Sequence, residues 1–278
     1  MKQKLTFLFQ FGMLLFFLFS LETPAWASIS DSLKIKSFVI KSGIILTNSK
    51  PSKVQIASIC AKFNLYRDFE NGSSRYLDTL ISSPAFSQNI YDRYRLEYLQ
   101  GVSAWEISDE IDQYRILVAK NRSSDLFDLF TSMIDKLTKL NTAREEYSAG
   151  RIDIPELQKR FFDNKFYDDI NMGSNNFVVS TFNYLFFRNP TKAELAAGRK
   201  MIEAEYARIL IKNGNSKQQY LDIIFSSKAY VEGQIRYWYN LLLNREPTTD
   251  EILGYSSKPF DVKALIKTIL LKKEFIRA

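Results

Sequence analysis

The eleven residues YLDTLISSPAF at 76–86 return as YLDIIFSSKAY at 220–230, and a chain that writes one segment twice is expected to fold by reusing one supersecondary unit. Each copy carries apolar residues at helical spacing, then a serine pair, then an aromatic residue three positions on. A weaker third copy, LIKTILLKKEF at 265–275, keeps the apolar spacing and the final aromatic residue. The serines predict a break in the chain, and the aromatic residue predicts an anchor for a neighbouring unit.

A second signature interleaves with the first. FNYLFFRNPTKAEL at 182–195 aligns with YNLLLNREPTTDEI at 239–252, so that Arg188 matches Arg245, Pro190 matches Pro247, Thr191 matches Thr248 and Glu194 matches Glu251. A degenerate copy, YRLEYLQGVSAWEI at 94–107, lacks the Arg-x-Pro. Proline pushes the residue before it out of helical geometry, which ends one helix. The Thr-x-x-Glu that follows is a capping box, which starts the next helix at a fixed angle. Each arginine is expected to reach carbonyls at the negative end of the preceding helix. These eight residues are therefore read as a structural motif. The rival reading, ligand sites made by Arg188 and Arg245 with Glu194 and Glu251, is not needed to explain the spacing.

Only 10 Gly and 7 Pro occur in 278 residues, and they punctuate long stretches of helical period. The predicted class is all-α: irregular multi-helix bundles with a repeated helix-turn-helix unit. Capping boxes are expected at 103–106, 191–194, 216–219 and 248–251, with stops at ENG, LQG, SAG, NMG and KNG. The pattern predicts helices over 52–69, 74–82, 85–99, 104–120, 124–148, 155–170, 175–187, 192–212, 217–226, 229–243, 249–254 and 262–276. The stretch 29–47 fits either a strand or a helix. The polar run NMGSNN suggests a division into 28–173 and 174–278, although it also fits an ordinary loop inside one continuous domain.

The two signatures together resemble a short helical domain of unknown function found in exported and surface-associated bacterial proteins. Its pattern is an aliphatic-x-Arg-x-Pro-[Thr/Asp]-x-x-Glu-Leu stretch followed by a Ser-x-x-Phe helix. The resemblance covers about 178–276 and, less closely, 60–110, and the middle third shows none. It implies an interaction or structural module of the cell envelope with no assigned chemistry. The Ser-Pro-Glu-Phe version of the second motif is altered here to SPAF, SKAY and KKEF, which weakens any role for its acidic residue.

Residues 1–27 carry a secretory signal in order: Lys2 and Lys4, an apolar run over 5–21, then PAWA with small residues at Ala25 and Ala27. Cleavage after Ala27 is expected, leaving a periplasmic or cell-surface protein. An uncleaved anchor is disfavoured, because the run is polar at Thr6 and Gln10 and short of the about 20 apolar residues of a spanning helix. Cys60 is the single cysteine, so no intramolecular disulfide forms, and its position beside Ile56, Ile59 and Phe63 predicts a buried apolar role.

Chemistry is scarce. The chain has no histidine, which removes the commonest general base and zinc ligand. No Gly-rich phosphate loop or nucleophile elbow is present. No cofactor or metal is expected. A histidine-free, carboxylate-based peptidoglycan hydrolase is the enzymatic alternative, but adjacent acids such as Glu145 and Glu146 diverge on a helix. The net charge of +7 is scattered among acidic residues, which speaks against nucleic acid and allows weak contact with an anionic wall polymer or lipid.

Aromatic residues make up 14% of the chain. Most are expected in the core, and Phe186, Phe187, Tyr237, Trp238 and Tyr239 are candidates for an interface. The expected function is a non-catalytic structural or protein-interaction component of the envelope, binding a protein partner or itself. One form of it is a coat or accessory subunit of a periplasmic filament such as a flagellar sheath.

Overall fold

A computed structural model describes residues 27–65, 68–121, 126–256 and 260–277. The signal segment proper, 1–26, lies outside the described residues. The protein is all-α. Among the described residues there are sixteen helices and one two-stranded hairpin. In order they are α1 (Ala27–Thr47), α2 (Lys53–Leu65), α3 (Phe69–Ile81), α4 (Pro84–Leu99), α5 (Ala104–Lys120), α6 (Leu126–Asn141), α7 (Ala143–Ser148) and α8 (Ile154–Phe162). There follow α9 (Lys165–Ile170), α10 (Ser174–Phe186), α11 (Lys192–Ile202), β1 (Ala207–Ile209), β2 (Lys212–Gly214), α12 (Lys217–Phe225) and α13 (Lys228–Leu243). The chain ends with α14 (Thr249–Ser256), α15 (Val262–Leu270) and α16 (Lys273–Arg277).

The stretch 29–47 is a helix, with Ile35, Phe38, Val39 and Leu46 buried along one side. Elsewhere side-chain caps set the boundaries. Ser83 and Ser227, matching positions of the repeated segment, accept from the backbone N–H of Phe86 and Tyr230 and so start α4 and α13. The aromatic anchors Phe86, Tyr230 and Phe275 are all buried.

Three predicted helices are each broken in two. The span 124–148 divides at Thr142, between α6 and α7. The span 155–170 divides because buried Asn164 folds its side chain over the end of α8, donating to the carbonyls of Arg160 and Phe161, and caps α9 by accepting from Tyr167 N. The span 262–276 divides at Leu271, where the third copy of the repeat has its break.

The prediction of a helix over 192–212 fails more deeply. α11 ends at Ile202, Ala204 turns left-handed at φ 62°, and the chain makes an antiparallel hairpin with Ile209 opposite Lys212. Leu210 and Ile211 both have positive φ, 47° and 66°, the backbone pattern of a two-residue turn that follows strand twist. Gly214, read as a helix stop in KNG, lies in β2, and a Cβ there would meet Met201 Cε at 2.1 Å. The glycine is needed for close approach. The ENG stop also fails. Gly72 sits inside α3, which Asp68 caps, with its missing Cβ in the space taken by the Phe63 ring. Ser216 caps α12, but the box at 216–219 is not reciprocal, since Gln219 accepts from Asn215 N.

Packing links the two ends of the sequence. α15 lies against α3, Lys267 pairs with Asp78 at 2.6 Å, and the Phe38 and Phe275 rings meet edge to face at 6.0 Å. The core is aromatic. Around Phe162 gather Tyr98, Tyr167, Tyr184 and Phe225 from four other helices. Gln158, almost fully buried, donates to Tyr98 Oη at 3.0 Å and accepts from Tyr230 Oη at 2.6 Å, joining α4, α8 and α13. Across the suggested boundary, Gly173 caps α10 at φ 87°.

Candidate functional site

The Arg-x-Pro-Thr-x-x-Glu signature folds into one arrangement twice. In the first copy, the left-handed Phe187 (φ 55°) ends α10 and Pro190 turns the chain. Thr191 then opens α11 with a reciprocal capping box: Glu194 N donates to Thr191 Oγ1 at 3.2 Å and Thr191 N donates to Glu194 Oε2 at 2.8 Å. The Glu194 carboxylate also receives the Arg188 guanidinium in a fork, 2.8 Å from Nη1 and 2.7 Å from Nη2. That guanidinium lies 5.0 Å from the Phe182 ring centroid.

The second copy repeats each contact. Asn244 is left-handed at φ 52°, Pro247 turns the chain, and Thr248 and Glu251 exchange bonds of 2.8 and 3.2 Å. Arg245 forks onto Glu251 at 2.8 and 2.9 Å, and it lies 5.0 Å from the Tyr239 ring. Lys272 and Glu274 extend this copy into a four-charge network.

Contrary to the expectation from the sequence, neither arginine caps the preceding helix. Each donates to the carbonyl of the linker residue that follows it, Asn189 or Glu246, and commits its fork to the capping-box glutamate. A bidentate guanidinium–carboxylate pair is stronger than two bonds to neutral carbonyls. The aromatic residue six positions before each arginine, Phe182 or Tyr239, belongs to the unit and escaped the sequence reading. Its cue was the alignment of those two positions.

The electrostatics follow the geometry. The Arg188 fork holds the Glu194 carboxyl down at about 2, and Glu251 is pushed lower still by Arg245 and Lys272. The Arg245 guanidinium is correspondingly held above its ordinary value by Glu251. Each carboxylate accepts three internal hydrogen bonds, and Glu251 also pairs with Lys272, so the unit acts as a corner clamp between helices and offers a ligand little free valence.

The candidate interface aromatics separate. Phe186, Trp238 and Tyr239 are buried inside the chain's own core, which withdraws them from any surface. Tyr237 is half-buried beneath Phe187, at 6.0 Å between ring centroids, and Phe187 stands exposed.

An exposed apolar surface lies on α5 and α6. α5 and α6 form a helical hairpin, and its base is seated by Ile107, Ile111, Leu137 and Leu140 and by the Lys136–Asp163 and Lys165–Glu110 pairs. Beyond that base the two helices pack chiefly on each other, with the Tyr114 and Phe130 rings 5.8 Å apart. At 3.6 residues per turn, Leu117 of α5 and Leu126, Leu129 and Met133 of α6 fall on one side of the hairpin. The three leucines are exposed. Asp112, Arg115, Asp128, Thr131 and Asp135 occupy the other side, all exposed.

Among the described residues two carboxyl groups are raised by burial, Glu97 and Asp168, but neither lines one of the cavities described. Asp168 is paired with Lys217 at 2.5 Å. Among the described residues no group of three or more acidic or thiol side chains is placed to hold a metal ion, and no helix is long and apolar enough to cross a membrane. No family model matches the chain, and no curated protein or solved structure is significantly similar to it.

Proposed function

We propose that this is an exported, non-catalytic interaction component of the bacterial cell envelope, and that it engages a protein partner through the α5–α6 hairpin. The observation that carries the reading is the one-sided hairpin. An apolar stripe of Leu117, Leu126, Leu129 and Met133 continues past the point where the body of the protein stops covering that face. A monomer gains nothing from exposing it, and contiguous exposed apolar surface marks association sites. The clamps suit such a role, because they fix helix angles without using a substrate. Export rests on the sequence of residues 1–27.

The test is crosslinking in the native envelope followed by affinity capture, with the wild-type chain beside Leu126→Asp/Leu129→Asp. Both leucines are exposed, so the variant should unfold at the wild-type denaturant midpoint while its crosslinked species disappear. An unchanged crosslinking pattern overturns the hairpin as the contact. A protein that captures neither a partner nor a second copy of itself overturns the interaction reading.

A further inference from the structure

Between α1, α2 and α3 lies an open cavity of about 400 Å³, within the roughly 300–1,000 Å³ range of small-molecule sites. Its shape follows from two glycines. A Cβ at Gly43 would stand 2.7 Å from Pro51 Cγ, and one at Gly72 would stand 2.5 Å from Phe63 Cδ1. α2 and the turn before it therefore touch α1 and α3 at those points, and the helices cannot close further.

The walls are mostly apolar, with Ile59, Phe63, Tyr76 and Leu80 half-buried or buried yet bordering open space. The wall hydroxyls are already committed. Thr47, Thr79 and Ser83 donate to the backbone carbonyls of Gly43, Arg75 and Leu80 at 2.7, 3.1 and 2.6 Å, and Tyr76 donates to Val39 O at 3.2 Å. Among the described lining residues two are cations, Lys62 and Arg75, and none is a carboxylate.

We propose that this cavity binds a small amphiphilic anion, with its apolar body against Ile59, Phe63 and Leu80 and a single carboxylate end at Lys62. The proposal is independent of the hairpin and of any protein partner.

Decanoate, with decanol as its uncharged counterpart, tests it by isothermal titration calorimetry on the full chain below the micellar concentration. The expected result is saturable one-to-one binding of decanoate. Lys62→Glu, at an exposed position, should weaken decanoate about tenfold while leaving decanol unchanged. Ile59→Trp, which places an indole in the cavity, should remove both, and circular dichroism confirms that it folds. If Ile59→Trp fails to fold, Lys62→Glu alone decides. Absence of saturable decanoate binding, equal affinity in Lys62→Glu, or undiminished binding in folded Ile59→Trp each overturns the proposal.

Discussion

Arg245 and Glu251 face each other as a fork, with nitrogen–oxygen distances of 2.8 and 2.9 Å, and Glu251 also closes the capping box of α14 with Thr248. One carboxylate thus joins two jobs, starting a helix and fixing the chain that enters it. Glu251→Gln keeps the shape but loses the charge, so stability should fall by about 1–2 kcal/mol, more than the 0–1 kcal/mol of an isolated surface pair. Urea unfolding of wild type, Glu251→Gln, Arg245→Gln and the double variant gives the coupling directly. A coupling energy near zero would show that the fork is ornamental.

The same geometry sets the acid limb of stability. Glu194 and Glu251 have folded-state pKa values depressed below the ordinary glutamate value of 4.5, Glu194 to about 2. The stability they contribute is complete above that ordinary value and is lost as pH falls from there toward 2. Glu97 and Asp168, raised by burial, act in the opposite sense and favour folding as they protonate. The wild-type curve therefore mixes both trends. Subtracting the curve of Glu194→Gln/Glu251→Gln isolates the clamps: the difference should shrink between pH 5 and pH 2, measured by urea midpoints at fixed ionic strength. A constant difference over that range contradicts the assignment.

The helices and their caps could be read in the sequence because each signal is local: a serine or threonine, a glutamate three residues on, and an apolar period behind them. Ser103, Thr191 and Thr248 show this directly. What escaped was set by contacts that neither an apolar period nor a capping box announces. The hairpin at 207–214 depends on Met201 and Gln219 receiving Gly214 and Asn215, and the break at Asn164 depends on a side chain that caps two helices at once. Gly72 reads as a helix stop until Phe63 is seen lying across it. Three of the candidate interface residues, Phe186, Trp238 and Tyr239, lie in the core for a related reason. Aromatic residues around a whole helix, as in YWYNLLL, indicate burial, but burial within one chain and burial between two leave the same mark. The surface that stays unpartnered, on α5 and α6, follows an ordinary amphipathic pattern.

Gly233 lets α13 approach the backbone of α10 closely. A Cβ at that position would lie 1.9 Å from the carbonyl oxygen of Leu185, and neither backbone can move without shifting Phe186 and Trp238 in the core. Gly233→Ala raises helix propensity by about 1 kcal/mol, yet it should destabilise the protein by about 3 kcal/mol or more through overpacking. Thermal unfolding checks this. Gly254→Ala is the control, because a Cβ there meets nothing within 4 Å and α14 should be unchanged or slightly stabilised.

Gln158 gives the sharpest test of how the two stretches of chain are joined. It lies on α8, nearly inaccessible to water, between Tyr98 of α4 and Tyr230 of α13. Burial pushes the hydroxyls of both tyrosines well above the ordinary phenol range, so they stay neutral and depend on hydrogen bonds. Gln158→Leu is close in size and removes both partners, leaving two buried hydroxyl groups without them. Each such group costs about 1–3 kcal/mol, and a loss of about 3 kcal/mol is expected. Adding Tyr98→Phe and Tyr230→Phe to Gln158→Leu removes the stranded groups and should restore most of the midpoint. If the triple variant is no more stable than Gln158→Leu alone, the cost lies in packing around α8, and the hydrogen-bonded bridge is not what holds α4 to α13.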